Sequence, residues 1–339
     1  VIIGAGAAGL AAAQQLSAAG LRIIVLEARD RIGGRIFTQK QESFPIPVEL
    51  GAEFVHGKVK ELFDIIEAGN LLLCDAADRH WHLRNGSLNK TGEYWERMNL
   101  LMQRLKQETT DRSFQDFLNS LHDDEQTRET KAIASLYVQG FHAASTDRIG
   151  IHGLNKANET AGKVDGDKQF RILSGYVGVA DWLCKEAKSH NAVISLSSIA
   201  KELRWKRGKV DVNYVCEGGP HQISGRRLLV TVPLGVLQST RDSAGAVNFT
   251  PPLPLEKYEA INQLATGQVA KITLQFDRRF WEELELPHEG KKESLWDLAF
   301  IHASGVAFPT WWTLSPLRVP RMVGWVGGPD AEKLLNHDE

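Results

Sequence analysis

The sequence is short of three things. Cysteine is nearly missing: Cys74, Cys184 and Cys216 are scattered and odd in number. That excludes a disulfide framework and a C-x-x-C metal or redox motif, and it fits a reducing compartment. An excess of one charge is missing too, since 40 Lys+Arg minus 42 Asp+Glu leaves −2. A nucleic-acid partner is therefore not expected, because such proteins carry a basic surplus. No apolar run approaches the ~20 residues of a membrane helix. What remains is ordinary for a globular protein: 42% hydrophobic and 24% charged residues exclude a disordered or collagen-like chain. At roughly 100–200 residues per domain, the length predicts two domains.

The ends lack signals as well. Val1-Ile2-Ile3-Gly4 opens inside a strand pattern without an initiator Met, and Asn336-His337-Asp338-Glu339 follows a helical pattern and closes no element. The chain reads as an internal piece of a longer protein. A leader or anchor would be invisible, so the compartment stays open, with the cytoplasm as default.

The first forty residues are the informative ones. After the apolar strand end come Gly4-Ala5-Gly6-Ala7-Ala8-Gly9, which fit G-x-G-x-x-G. Leu10 to Leu16 are strong helix formers, and Gly20 is a helix stop. Leu21 to Leu26 reads as a second buried parallel strand, and Glu27 follows it, 18 residues after Gly9. Each part has a task. Gly4 allows the tight turn, Gly6 the approach of a pyrophosphate, and Gly9 close helix–strand packing. The helix N-terminus offers N–H groups and partial positive charge to phosphates. Glu27 can accept hydrogen bonds from an adenosine ribose and would repel a 2′-phosphate. Glycines alone mean little; strand, glycines, helix, strand and acid in this order predict a dinucleotide site. NAD and FAD both satisfy the pattern to this point.

The next residues separate them. Glu27-Ala28-Arg29-Asp30-Arg31-Ile32-Gly33-Gly34-Arg35 resembles the E-A-R-D-R-x-G-G-R segment of the flavin-containing amine oxidase family. That family includes monoamine oxidases, polyamine oxidases and flavin-type histone lysine demethylases. The resemblance implies FAD as cofactor, held by Gly4, Gly6, Ala8, Gly9, Glu27, Ala28, Arg29, Gly34 and Arg35. Val48 to Gly57 resembles the family's L-G-A segment, which implies that Leu50, Gly51, Ala52, Glu53 and Phe54 run beside the flavin ring. His56-Gly57 is similar to the I-H-G ending of polyamine-oxidase-like members. It makes His56 a candidate substrate residue, with a structural histidine at a turn as the alternative.

Further matches follow in family order. Residues 58–169 resemble a mostly helical insertion of the substrate domain. They contain helical spacing over Lys60–Ala68, Tyr94–Gln107 and Glu125–His142, and a hairpin from Trp81 to Leu88 around Asn85-Gly86. Tyr137 to Ala144 resembles a family stretch, for which helix packing is explanation enough. Ile172-Leu173-Ser174-Gly175-Tyr176 is similar to a G-G-Y turn, with Ser174 in place of the first glycine. Ile199 falls where the family touches the adenine. Arg226 to Leu237 matches the strand and T-x-P-L-G-V-L that follow. Gly267 to Phe276, then Phe280-Trp281, resembles G-x-x-x-K-[VI]-x-L-x-F…F-W, which implies that Lys271 is the active-site lysine acting through a water at flavin N5. Period-two alternation alone sets Ile272, Leu274 and Phe276 on one face and Lys271, Thr273 and Gln275 on the other. By that pattern Lys271 is a lysine on a wet face. Phe308 to Thr313 and Gly324 to Pro329 resemble strands lining the substrate cavity, with Trp312 a candidate substrate residue; aromatic core packing is the alternative.

The expected architecture is α/β: a Rossmann-like FAD-binding domain with a parallel sheet, over 1–57 and 170–240. It is interleaved with an α+β substrate domain over 58–169 and 241–339. The family's C-terminal FAD-binding segment has no counterpart in this sequence. The expected activity is oxidation of an amine by FAD and O2, on a polyamine or monoamine, with no metal. Amino-acid oxidases share the N-terminal motifs, and a non-catalytic flavoprotein fragment would keep them. The G-G-R segment and the return near residue 172 oppose an NAD-dependent dehydrogenase. Oligomeric state is open.

Overall fold

The computed structural model describes residues 1–42, 44, 46–84, 86–90, 92–240, 243–288 and 291–336. The chain divides into two compact units, and it crosses between them several times. The first holds Val1–Phe54, Lys60–Leu73 and Arg171–Thr266; the second holds Val55–Val59, Cys74–Phe170 and Gly267–Glu339.

In the first unit a parallel sheet runs in the order Val193–Ser195, Ile24–Leu26, Ile2–Ile3, Leu229–Val230. Its centre is apolar on both faces, as parallel strands require: Ile2, Ile3, Val25 and Leu26 are all buried. Helix Ala7–Ala18 packs against helix Val177–Ser189. The first of these buries small residues, Gly9, Ala13 and Ser17, beside Leu10, so the elements can approach closely. A second sheet, Gly219–Gly225, Lys209–Cys216, Ile199–Lys206 and Asn248–Thr250, shares a core of Leu203, Val210 and Val212 with Ile3 and Leu26.

Three segments fall on the other side of the expected boundaries, and one of them, 55–57, goes to the second unit. Residues 241–266 stay with the first unit because Asn248–Thr250 pairs in parallel with Ile199–Lys206. Helix Lys60–Ala68 stays there because it packs against Val177–Ser189. Helical periodicity shows that a helix exists, not which surface its apolar face will meet.

A three-part cap holds helix Val177–Ser189 to the first unit. Tyr176 N–H donates to Glu49 Oε1 (2.7 Å) and Val177 N–H to Thr38 Oγ1 (3.0 Å), while the Thr38 hydroxyl donates to Glu49 Oε2 (2.7 Å). Gly175 sits at φ +98°, and a Cβ there would come within 2.5 Å of Thr38 Cγ2. The glycine of the G-Y turn is thus needed both for its backbone angle and for its missing side chain. Glu49→Ala leaves one N–H and one hydroxyl without this acceptor. It is expected to cost about 1–3 kcal/mol in urea unfolding, whereas Glu49→Gln, which keeps one acceptor oxygen, costs less.

In the second unit a six-stranded mixed sheet runs Val269–Gln275, Arg321–Gly327, Thr310–Thr313, Phe300–Ala303, His80–Arg84, Ser87–Lys90. The last two strands form the expected hairpin, whose Asn85 lies outside the described residues. The helices Gly92–Leu105, Phe114–Asn119, Glu125–His142 and Ile151–Gly162 enclose a separate core that includes Leu105, Phe114, Phe117, Val138 and Ile151. Ser113 and Asp124 cap two of them, accepting from Asp116 N–H and Thr127 N–H. Among the described residues, no helix is long and apolar enough to cross a membrane.

This sheet also holds a half-buried histidine pair. His80 Nε2 bonds the Asp78 carboxylate at 2.6 Å, and His80 Nδ1 meets His302 Nε2 at 2.9 Å. Burial first, then His80 and His82, push His302 down to about 3. An unfolded histidine titrates near 6.5, so this group binds more protons unfolded than folded between the two values. Its contribution to stability is complete above about pH 6.5 and is lost as pH falls toward 3. Urea melts from pH 7 to 4 should show that fall, and His302→Gln should flatten it. An equal slope in both proteins would rule out His302 as its source.

Candidate active site

The glycine turn of the first unit is a steric lock. Gly4 has φ +102°, and a Cβ on Gly9 would lie 1.9 Å from the Gly4 carbonyl oxygen. Thr231 seals the turn from the neighbouring strand: its hydroxyl reaches the carbonyls of Ile3 (2.9 Å) and Gly4 (3.2 Å). Thr231 lies in the matched T-x-P-L-G-V-L segment, but nothing in that pattern connects it with Gly4.

Gly6 starts the helix Ala7–Ala18, and no side chain caps that helix end. A second glycine turn packs on the first. Gly33 N–H donates to the Ala5 carbonyl (2.9 Å), and Gly6 bridges Gly33. A Cβ on Gly34 would come within 3.3 Å of Gly6 Cα. The two backbones therefore meet bare, next to an uncapped helix start. Glu27 lies beside them, 8% exposed, accepting from Ala5 N–H (2.7 Å) and Arg29 N–H (3.0 Å). These bonds aim the carboxylate and leave each oxygen a second lone pair. Ser198 N–H donates to the Glu27 carbonyl (2.8 Å), which brings Ile199, the next residue, to the same place.

The arginines divide their work. Arg29 Nη1 and Arg31 Nη2 both donate to the Gly34 carbonyl, at 3.2 and 3.0 Å. Arg31 also bonds the carbonyls of Ile32 and Ile36 and lies 4.1 Å over the Phe37 ring. Arg31 was not among the expected site residues, yet it is the main brace of the second glycine turn. Arg35 is exposed, and so are Ala8, Ala28 and Leu50. The Arg35 backbone anchors the next segment: Ala52 N–H donates to its carbonyl (3.1 Å), and a Cβ on Gly51 would lie 2.0 Å from the same oxygen. Glu53 and Phe54 continue that segment and meet Arg171.

The second unit carries Lys271, His56 and Trp312. Lys271 pairs across strands with Trp325, and its Nζ lies 5.7 Å from the Trp312 ring centroid. Lys271 is half-buried, while Ile272 is 37% exposed. The wet-face reading of Lys271 is corrected: Trp312 and Trp325 lie on its face of the sheet, while Ile272 and Trp311 share the other. Trp312 is buried and stands 6.4 Å from Trp325. The glycine of G-x-x-x-K has a steric cause, since a Cβ on Gly267 would lie 1.7 Å from the carbonyl of Ala143. Ala143 is the left-handed C-cap of helix Glu125–His142, at φ 49°. Trp325 Nε1–H donates to the Gly140 carbonyl at 2.9 Å in the same helix.

That helix end reaches His56 too. The His56 ring meets Phe141 edge-on at 5.7 Å, and Phe141 stacks on Tyr137 at 5.5 Å. Burial lowers the His56 and His142 pKa and raises that of Tyr137. Both imidazoles are therefore neutral at pH 7. His56 belongs to an aromatic cluster rather than to a bare turn. The 137–144 stretch matters here because its last turn is joined both to His56 and to the strands carrying Lys271 and Trp325. Its helical pattern could not show this. Among the described residues, no group of three or more potential ligands could hold a metal ion.

The bare backbone contact, the uncapped helix start and the aimed carboxylate suit a dinucleotide, and the second glycine turn suits FAD. Fold and site thus define a dinucleotide-binding protein of the α/β class. The chain belongs to the flavin containing amine oxidoreductase family, whose profile matches residues 7–148 and 81–339. It is 29% identical over 309 residues to lysine-specific histone demethylase 1B of Mus musculus, covering 83% of this chain and 35% of that protein. It is 30% identical over 308 residues to probable polyamine oxidase 4 of Arabidopsis thaliana, covering 84% and 59%. The chain thus spans about a third to three fifths of the length of these relatives. A putrescine oxidase structure bound to putrescine superposes with TM-score 0.77 at 19% identity, covering 99% of this chain and 77% of that one. Cyclohexylamine oxidase from Brevibacterium oxydans gives 0.75 at 16%, covering 99% and 76%. At such identities the likeness shows the fold alone, an α/β fold with a parallel sheet.

Proposed function

We propose that the protein oxidises the C–N bond of a small amine with FAD and O2, and that the first unit holds the cofactor while the second shapes the substrate site. The observation that carries the amine reading is Lys271, half-buried with its Nζ 5.7 Å from the Trp312 ring centroid. In this reading Gly4, Gly6, Ala8 and Gly9 receive the diphosphate at the helix start, where N–H groups and the helix dipole favour anions. Arg35 adds a cation there. Glu27 and Ala28 meet the adenosine ribose, Ile199 the adenine, and Leu50 to Phe54 the flavin ring. Bound FAD would supply the acceptor for a hydride equivalent from the carbon next to nitrogen, which leaves as the imine, and O2 would restore the acceptor by being reduced to hydrogen peroxide.

The chain's own residues set the protonation states. The aromatic surfaces of Trp312 and Trp325 and the neutral His56 disfavour a buried ammonium, so the amine reacts as the free base. Lys271 would hold a water by hydrogen bonding and relay a proton through it. Polyamine-oxidase and demethylase names among the relatives support an amine substrate, and the putrescine oxidase neighbour supports a small one.

The test is a visible spectrum of the purified holoprotein before and after anaerobic addition of mono-, di- and polyamines. Bleaching of the flavin bands by one class supports the reading and names the substrate. A flavin that no amine bleaches would remove the amine-oxidase assignment.

A further inference from the structure

We propose that Arg171 is a positioning residue for the cofactor: it holds residues 53 and 54 so that the 50–54 backbone can meet the flavin ring, and it does not affect the adenine half. This rests on the cofactor reading above.

The 50–54 segment is held in two ways. Its first three residues are held by backbone. Leu50 and Gly51 N–H donate to the Phe37 carbonyl (2.8 and 3.2 Å), and Ala52 N–H donates to the Arg35 carbonyl. Gly51 has no space for a side chain. For the last two residues, a side chain from 118 positions away takes over. Arg171 Nε–H donates to Glu53 Oε1 at 3.3 Å, and the guanidinium lies 4.4 Å over the Phe54 ring. Both charged side chains are only 8% exposed.

A buried ion pair is a poor source of stability, because desolvation offsets most of the attraction; its surer effect is to define geometry. Here it defines two adjacent residues through two different interactions. The planar guanidinium can bond Glu53 and stack on Phe54 together, which an ammonium cannot do. The groups assigned to the adenosine and diphosphate are fixed by other partners: Glu27 by Ala5 and Arg29, and Gly4 by Thr231. The two halves of the cradle can therefore be loosened separately.

The test compares FAD and ADP binding by calorimetry on the whole chain, for wild type, Arg171→Met, Arg171→Lys and Glu53→Gln. Arg171→Met should weaken FAD by about tenfold or more, as loss of a charged hydrogen bond implies, with ADP changed less than about twofold. Glu53→Gln should act in the same direction, and the double variant should be no weaker than Arg171→Met. Arg171→Lys should fall between, since it keeps charge but not the stack. Amide exchange of residues 50–54 should rise in the ligand-free variants. If Arg171→Met does not fold, Glu53→Gln and Arg171→Lys decide the matter by the same FAD-to-ADP ratio. Equal losses for both ligands would make Arg171 merely structural and overturn the inference, as would unchanged FAD binding. A wild-type chain that takes up neither ligand removes the cofactor reading, and the inference with it.

Discussion

Gly9→Ala is expected to destabilise the protein by about 3 kcal/mol, the upper end for overpacking, and to abolish FAD binding. The added methyl would sit 1.9 Å from the Gly4 carbonyl oxygen and 2.8 Å from Thr231 Oγ1. Neither neighbour can yield. Gly4 is the turn itself, and the Thr231 hydroxyl bonds Ile3 and Gly4 across strands. Relief would require the helix Ala7–Ala18 to lift from the sheet, which uncovers Leu10 and moves the helix start proposed to receive the phosphates. Gly153→Ala is the control. That glycine is exposed within helix Ile151–Gly162, with nothing within 4 Å of an added Cβ. The same change there should stabilise by about 0.5–1 kcal/mol. Thermal melts with and without FAD check both. A Gly9→Ala protein that melts like wild type and keeps its flavin would contradict the steric account.

Lys271→Met should have the largest effect on turnover. It keeps the length and apolar stem of the side chain and removes the ammonium near Trp312. In the holoprotein, flavin should stay bound, because the residues assigned to hold it belong to the first unit and Lys271 to the second. Flavin reduction or reoxidation should slow by about 10²-fold or more, the scale of a lost acid–base group. Stopped-flow traces under anaerobic and aerobic mixing separate the two half-reactions. Unchanged rates in both would end the catalytic role of Lys271. Gly267→Ala offers an independent check, since a methyl 1.7 Å from the Ala143 carbonyl must displace the strand that carries the lysine. It should slow the reaction with Lys271 still present.

Some of this protein could be read from the residues alone, because the rules involved are local. G-x-G-x-x-G between two apolar strands, with Glu27 18 residues on, satisfies a requirement met within one strand–helix–strand stretch. The G-G-R segment, the helix stop at Gly20 and the hairpin over Trp81 to Leu88 are of the same kind. Each depends on neighbours in sequence, so spacing carries the information.

The rest was decided by contacts far apart in the chain, where spacing carries none. Thr231 bonds Gly4 across 227 residues and Arg171 bonds Glu53 across 118. Period two could divide the Lys271 strand into two faces, but not say which face would meet Trp312 and Trp325. The same limit explains the boundaries, for 241–266 joined the first unit through one short parallel pairing. Alternation and helical periodicity state that a surface is apolar. Which distant surface covers it is settled only when the whole chain packs, and here that packing decides how Lys271, His56 and the 50–54 segment are held.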